Sequence, residues 1–259
     1  MRDVSAPVFH RYVALGDSFT EGVGDPDPSR PNGVRGWADR VAEVLATRTD
    51  DFGYANLAIR GRTLRPIVEE QLEPALALEP DLVTIYAGGN DLLRPRLDVD
   101  ALGEVYDDAV GRLAATGATV GLFTAFDPGV GGPFGRLRGR FAVYNERVRE
   151  IADRHGAVVL DSWRMRPERP ESVWSEDRLH LGPIGHQAVA IEVLETLGVP
   201  HDLVPIDPSA LTGSTPFHGG RRADLAWVVT HAAPWVHRRI TGRSSGDGVL
   251  PKRPGLQPI

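Results

Sequence analysis

Five short apolar runs, each bounded by Gly, Asp or Asn and followed by a segment of helical spacing, constrain the fold of this chain more than any other feature. They are Tyr12–Leu15, Tyr54–Leu57, Leu82–Tyr86, Val120–Phe123 and Ala157–Leu160. Most are apolar at successive rather than alternate positions, as in strands covered on both faces, and such strands belong to parallel sheets. Helical spacing runs over Trp37–Arg48, Pro66–Ala77, Val99–Ala115, Phe141–His155 and Pro183–Leu197. Strand and helix joined by right-handed crossovers predict an α/β protein. The expected form is a three-layer α/β/α sandwich of flavodoxin-like type, with about five parallel strands.

In such a sheet, ligands bind beyond the carboxyl ends of the strands, so the loops there are the places to look for chemistry. Gly16-Asp17-Ser18 follows the first strand, Arg60-Gly61-Arg62 the second, Gly88-Gly89-Asn90-Asp91 the third, and Asp177 and His180 come after the fifth. The loop Asp127–Gly135 after the fourth lacks the Gly-x-Gly-x-x-Gly spacing of a dinucleotide site and reads as a mobile loop beside the site.

Composition removes several alternatives. With no cysteine there is no disulfide, thiolate nucleophile or cysteine metal site. A formal net charge of -6 argues against a nucleic-acid partner, which calls for a surplus of Lys and Arg on one face. Among eight histidines there is no His-Glu-x-x-His, and His201, His218, His231 and His237 fall in a weakly patterned tail; no metal and no cofactor are expected. No apolar stretch has the length of a membrane span, and Met1–Pro7 leads into the first strand without the apolar core of a signal peptide. The expectation is a cytoplasmic protein with no stable membrane insertion.

A serine hydroxyl is a weak nucleophile until a neighbouring base takes its proton, so a Ser, a His and a carboxylate able to meet form a meaningful constellation. Ser18 leaves strand one where backbone N–H groups can face developing negative charge, and Asp177 lies three residues before His180, close enough to hold the imidazole. Singly, each has a plainer reading: Ser18 as a helix cap, Gly61 as a turn glycine, Asn90 as a turn residue. Asp91 reads as a structural carboxylate for backbone donors of its loop, and His186 as a packing or hydrogen-bonding residue of the last helix.

Together the motifs resemble the SGNH, or GDSL-type, hydrolases, a family of esterases, lysophospholipases, thioesterases and carbohydrate deacetylases. Its serine motif is similar to Gly16-Asp17-Ser18, its glycine to Gly61 within Asn56–Thr63, its Gly-x-Asn-Asp to Gly88–Asp91 and its Asp-x-x-His to Asp177–His180, in the same order over roughly residues 10 to 198. Leu181 departs from the family's frequent proline, while Gly185-His186 resembles its usual continuation. The resemblance implies the SGNH hydrolase fold and a lipase-like carboxyl esterase. Its triad would be Ser18, His180 and Asp177, acting through an acyl-serine, with an oxyanion hole from the backbone N–H of Ser18, the backbone N–H of Gly61 and the Asn90 amide. The expected partner is a small acyl ester, with short acyl chains favoured. Arginines 60, 62, 94 and 96 could draw an acidic or phosphate-bearing substrate, although loop arginines are more often simply solvated. The alternatives are an acyltransferase or carbohydrate O-deacetylase using the same triad, and a non-catalytic flavodoxin-like binding module.

The resemblance does not reach past about Pro200. Residues 1–200 read as the hydrolase domain and 201–259 as a C-terminal extension. The extension divides into a Pro-, Ser- and Gly-rich linker over Pro205–Gly220, a short apolar and basic helix over Arg221–Thr241 kinked at Pro234, and a disordered tail over Gly242–Ile259.

Overall fold

β1 (Arg11–Gly16) is buried along almost its whole length, and its side chains alternate between two apolar layers. Val13 and Leu15 point into a cluster built by α3 (Leu64–Ala77), α5 (Val99–Ala114) and α6 (Arg138–His155), while Tyr12 and Ala14 meet α2 (Gly36–Ala46) and α7 (Pro183–Thr196) on the other face. Burial on both faces is why the strand sequences are continuously apolar. The computed structural model describes residues 6–130, 134–165, 172–210, 230 and 244–259.

β2 (Gly53–Asn56), β3 (Leu82–Tyr86), β4 (Thr119–Phe123) and β5 (Val158–Leu160) run parallel to β1, and the sheet order is β5-β4-β3-β1-β2 followed by a sixth strand, β6 (Arg253–Gln257). The five parallel strands form the flavodoxin-like order, whose direction of winding reverses between β1 and β3. Two further one-turn helices, α1 (Ser18–Glu21) and α4 (Gly89–Leu92), sit directly after those two strands.

Local chemistry sets the helix ends. The Asp98 side chain accepts from the N–H groups of Asp100 and Ala101 to cap α5, and α6 stops at Gly156, whose φ of 66° is accessible to glycine at little cost. Pro183 starts α7 where its missing N–H is no loss.

The described part of the tail, residues 244–259, corrects the expectation of disorder made for 242–259. β6 pairs antiparallel with β2, with Tyr54 opposite Gln257 and Asn56 opposite Arg253, and closes that edge of the sheet. Pro254 is tolerated because β6 is itself an edge strand. Order here comes from distant partners. The Lys252 ammonium is buried against the Asp39 carboxylate at 2.9 Å and donates to the carbonyls of Glu21, Val34 and Arg35, and the Arg253 guanidinium lies over the Tyr54 ring. The helix expected over Arg221–Thr241 falls outside the described residues apart from Thr230, as does the linker beyond Ala210.

Because both side chains of the Lys252–Asp39 pair are fully buried, Lys252→Met strands a carboxylate in the interior. It is expected to lower unfolding free energy by about 3–5 kcal/mol. The double variant Asp39→Asn/Lys252→Met regains much of that, as read from urea denaturation of the three proteins.

Candidate active site

The candidate nucleophile Ser18 opens α1 immediately after β1. Gly16, at φ 147°, makes this turn possible: a Cβ there would stand 2.6 Å from both the Tyr86 carbonyl and the Thr20 hydroxyl. Gln71 of α3 is buried and bonds both the N–H (2.8 Å) and the carbonyl (2.9 Å) of Gly16, pinning the strand end. Asp17 caps α1 by accepting from the N–H of Phe19.

Asn90 stands in α4, beyond the neighbouring strand β3. Its Nδ2 donates to Asp17 Oδ2 at 2.9 Å and to the carbonyl of Arg62 at 3.0 Å, so one amide joins the loops after β1, β2 and β3. Asp91 accepts from the N–H of Leu64 at the start of α3, the structural part expected of it. Burial pushes the Asp17 carboxyl up to about 7, against the opposing pull of its hydrogen bond from Phe19 and of the nearby His180.

His180 and Asp177 sit on a tight loop closed by the N–H of Ser175 donating to the His180 carbonyl, with Arg178 in the left-handed region at φ 56°. Asp177 Oδ1 accepts from the N–H groups of Leu179 and His180 and from the Ser175 hydroxyl, while Oδ2 meets His180 Nδ1 at 2.6 Å. Burial alone would raise the Asp177 carboxyl, but the hydrogen bond and charge of His180 outweigh it and hold the group well below the usual carboxylate range. An ionised Asp177 accepts only, so Nδ1 carries the proton toward it and Nε2 is left as the accepting nitrogen.

Ser18, Asn90 and His180 line one cavity of about 490 Å³, together with Asp17, while Asp177 stands behind His180. Gly61 is not part of that wall. It has the left-handed φ of 76° that favours glycine, but a Cβ on it would meet the hydroxyls of Ser244 (2.5 Å) and Ser245 (2.8 Å), so what approaches its Cα closely is the C-terminal segment rather than a substrate. Of the four arginines, Arg60 is tied to the buried Glu21 through its backbone N–H (2.8 Å) and Nε (3.0 Å), and Arg62 pairs with Glu70 at 2.8 Å. None of the four lines the cavity. The loop after β4 does border it through Asp127, Pro128, Gly129 and Phe134, and Asp127 is held by Arg138 at 2.7 Å; residues 131–133 of that loop lie outside the described residues.

Several contributors carry no motif signal. Gly24, at φ 101°, lets the loop after α1 rest on the histidine loop, since a Cβ there would stand 2.2 Å from the Leu181 carbonyl and 3.0 Å from His180 Cβ. His186 is fully buried, accepts from the N–H of Trp37 at Nδ1 and faces the Val23 carbonyl with Nε2, as expected of a structural histidine. Burial pushes its imidazolium form down, so it is neutral in the fold. Among the described residues no cluster of three or more His, Asp or Glu side chains is arranged to hold a metal ion, and no helix is long and apolar enough to cross a membrane.

The sequence profile of the GDSL-like lipase/acylhydrolase family matches residues 14–188, and the chain belongs to that family. It is accordingly a serine-type hydrolase of carboxylic esters. Comparison with curated proteins gives no match. Among solved structures it is similar to LAE5, an α/β hydrolase enzyme from the metagenome of Lake Arreo, Spain, at 23% identity and a TM-score of 0.62, covering 74% of this chain and 97% of that one. TesA is similar at 22% identity and a TM-score of 0.60, covering 72% and 97%. Axe2, an acetylxylan esterase from Geobacillus stearothermophilus, is similar at 20% identity and a TM-score of 0.58, covering 76% and 97%. At these identities the likeness concerns the fold.

Two predictions follow from the geometry. Gly24→Ala pushes the His180 loop outward and is expected to lower kcat about ten-fold or more, with the far-UV circular dichroism spectrum unchanged, as steady-state ester hydrolysis will report. The second concerns stability. Asp17 stays protonated in the fold up to about 7 but ionises near its ordinary 3.8 when unfolded, so its contribution is present in acid and is lost as pH rises through about 7. Buried neutral His186 has the opposite sign: its contribution is present at neutral pH and is lost as pH falls below the usual histidine range. Asp17→Asn therefore gains stability relative to the native protein as pH rises from about 4 to about 7, measured by denaturation at each pH.

Proposed function

We propose that Ser18 is the nucleophile, His180 the general base and Asp177 its orienting carboxylate, with the N–H of Ser18 and the Asn90 amide receiving the oxyanion, while Gly61, which does not line the cavity, shapes the loop behind Asn90. The observation that carries this reading is the 2.6 Å contact between His180 Nδ1 and Asp177 Oδ2, beside a cavity that Ser18 and Asn90 also line. Ser18 Oγ attacks the ester carbonyl carbon while its proton passes to His180 Nε2. The carbonyl oxygen becomes an oxyanion, and the Ser18 and Asn90 donors strengthen their bonds to it as charge develops. Collapse expels the alcohol, which takes the proton from His180 and leaves acyl-Ser18. Water then repeats the sequence, His180 accepting its proton, and the carboxylic acid is released.

Asn90 donates to Asp17 and to the Arg62 carbonyl at rest, so its amide is oriented before substrate arrives. Both amide hydrogens are engaged at rest, so one of these two bonds is given up to the oxyanion while the other keeps the amide oriented.

The acyl side of the substrate is apolar in this reading. Tyr86, Leu93, Phe126, Phe134, Phe141 and Trp174 line the cavity. The remaining polar lining is that of the site itself together with Asp127, engaged by Arg138, and Arg178. With Arg60 and Arg62 committed to carboxylates, recognition of a phosphate-bearing substrate has little support, and an aromatic wall suits an aliphatic or aryl acyl group better than a sugar acetate.

The test is hydrolysis of p-nitrophenyl esters of increasing acyl length. Ser18→Ala is expected to abolish activity, and Asn90→Ala to lower kcat by about 10²–10³ with folding intact. Lengthening the acyl chain from acetyl raises kcat/KM by up to about four-fold for each methylene buried, until the cavity is full. The rate falls toward acid pH, because a protonated His180 cannot accept the serine proton while Asp177 remains ionised. Full activity in Ser18→Ala, or a flat chain-length profile, speaks against the reading.

A further inference from the structure

Residues 244–259 lie beyond the family match at 14–188, yet their first turn packs on the loop that carries Gly61 and the rest engages residues on either side of that loop in the chain. The turn at 244–247 lies on that loop. Besides the two serine hydroxyls against Gly61, Gly246 comes so close to Arg60 that a Cβ on it would stand 2.1 Å from the Arg60 carbonyl and 2.8 Å from Ile59 Cγ2. The turn is held from within by the N–H of Ser244 donating to Asp247 Oδ2 at 2.9 Å and the N–H of Gly246 donating to the Ser244 hydroxyl at 3.1 Å.

Further along, Lys252 is linked to the same loop through Glu21. Its ammonium donates to the Glu21 carbonyl at the end of α1, while the Glu21 side chain, fully buried, takes the backbone N–H and the guanidinium of Arg60. The other two donations of Lys252, to the Val34 and Arg35 carbonyls, tie in the segment entering α2, and β6 then runs along β2, whose end feeds the Gly61 loop. The Arg60–Arg62 backbone thus contacts the 244–247 turn and, through Glu21, the buried ion pair of Lys252. Its last member matters to the chemistry, since the Arg62 carbonyl accepts from the Asn90 amide.

We propose that the C-terminal segment is a working part of this enzyme's active site, with Lys252 and Gly246 as positioning residues that set the Arg60–Arg62 loop and, through the Arg62 carbonyl, the Asn90 amide. The proposal rests on the assignment of the Asn90 amide to the oxyanion hole. A segment that served only to seal the sheet edge would affect stability and leave the chemical step untouched. A segment that positions the hole acts on transition-state binding.

The test uses the full-length protein in two variants that touch neither the triad nor the cavity wall. Gly246→Ala forces a methyl group against the Arg60 carbonyl. Asp39→Asn/Lys252→Met removes the ion pair and its three donations without leaving a buried charge. Each is expected to lower kcat for p-nitrophenyl butanoate by about ten-fold or more with KM within about two-fold, because misplacing an oxyanion donor costs transition-state rather than ground-state binding. Affinity for an alkyl boronic acid, whose tetrahedral adduct on Ser18 places an oxygen in the same hole, falls in parallel. Combining Gly246→Ala with Asn90→Ala gives less than the sum of the two effects, since both act on one hole. Unchanged kcat and unchanged boronate affinity in both variants overturn the proposal, whatever happens to their melting temperatures. Fully additive effects overturn it as well. If Asn90→Ala itself retains full rate, the oxyanion assignment has failed and the proposal falls with it, a result distinct from one in which only the C-terminal variants are silent.

Discussion

The reversal of winding between β1 and β3 is the constraint on which the rest of the molecule depends. The chain leaves β1 toward α2 on one face of the sheet and leaves β3 toward α5 on the other, so a crevice opens beyond the carboxyl ends of these adjacent strands. Ser18 and Asn90 stand at its two sides in one-turn helices, too short to be held by their own backbone hydrogen bonds. Their positions are therefore borrowed from the strands, from Gln71 under Gly16, and from the bond between Asp17 and Asn90 that spans the crevice.

Around the crevice the protein buries several carboxylates and uses them to tie one segment to another. Glu21 holds Arg60, Asp25 holds Arg40 of α2, Asp39 holds Lys252 and Asp91 holds the first N–H of α3. A buried charge is costly unless paired and hydrogen-bonded, so every one of these groups fixes the distance between two segments far apart in the chain. Asp17, like Asp91, is held by N–H donors, here those of Phe19 and Asn90, and burial raises its pKa although both bonds pull it down.

The candidate site was legible to the extent that its chemistry is local. Asp177 and His180 meet because three residues of loop separate them, and the Asx-type bonds from Asp177 to the N–H groups of Leu179 and His180 belong to the same few residues. Ser18 and Asn90 could be placed because each follows a strand, and strands announce themselves by continuous apolarity. Gly24 and Gly61 illustrate the opposite case: a positive φ can be guessed from glycine, but what lies against its Cα, the Leu181 carbonyl in one and Ser244 and Ser245 in the other, depends on segments more than 150 residues away.

The sequence by itself determined the α/β layering, the parallel flavodoxin-like type, and the identity of the residues after each parallel strand, because periodicity and turn chemistry are properties of neighbouring residues. It misread the tail. Gly242–Ile259 is poor in apolar residues and rich in Gly, Ser and Pro, and nothing in that composition announces order. Only the tertiary structure decided otherwise, because the free edge of β2 and the buried carboxylate of Asp39 are made available by folding, and a strand edge and an unpaired charge are both satisfied by the same few residues around Lys252.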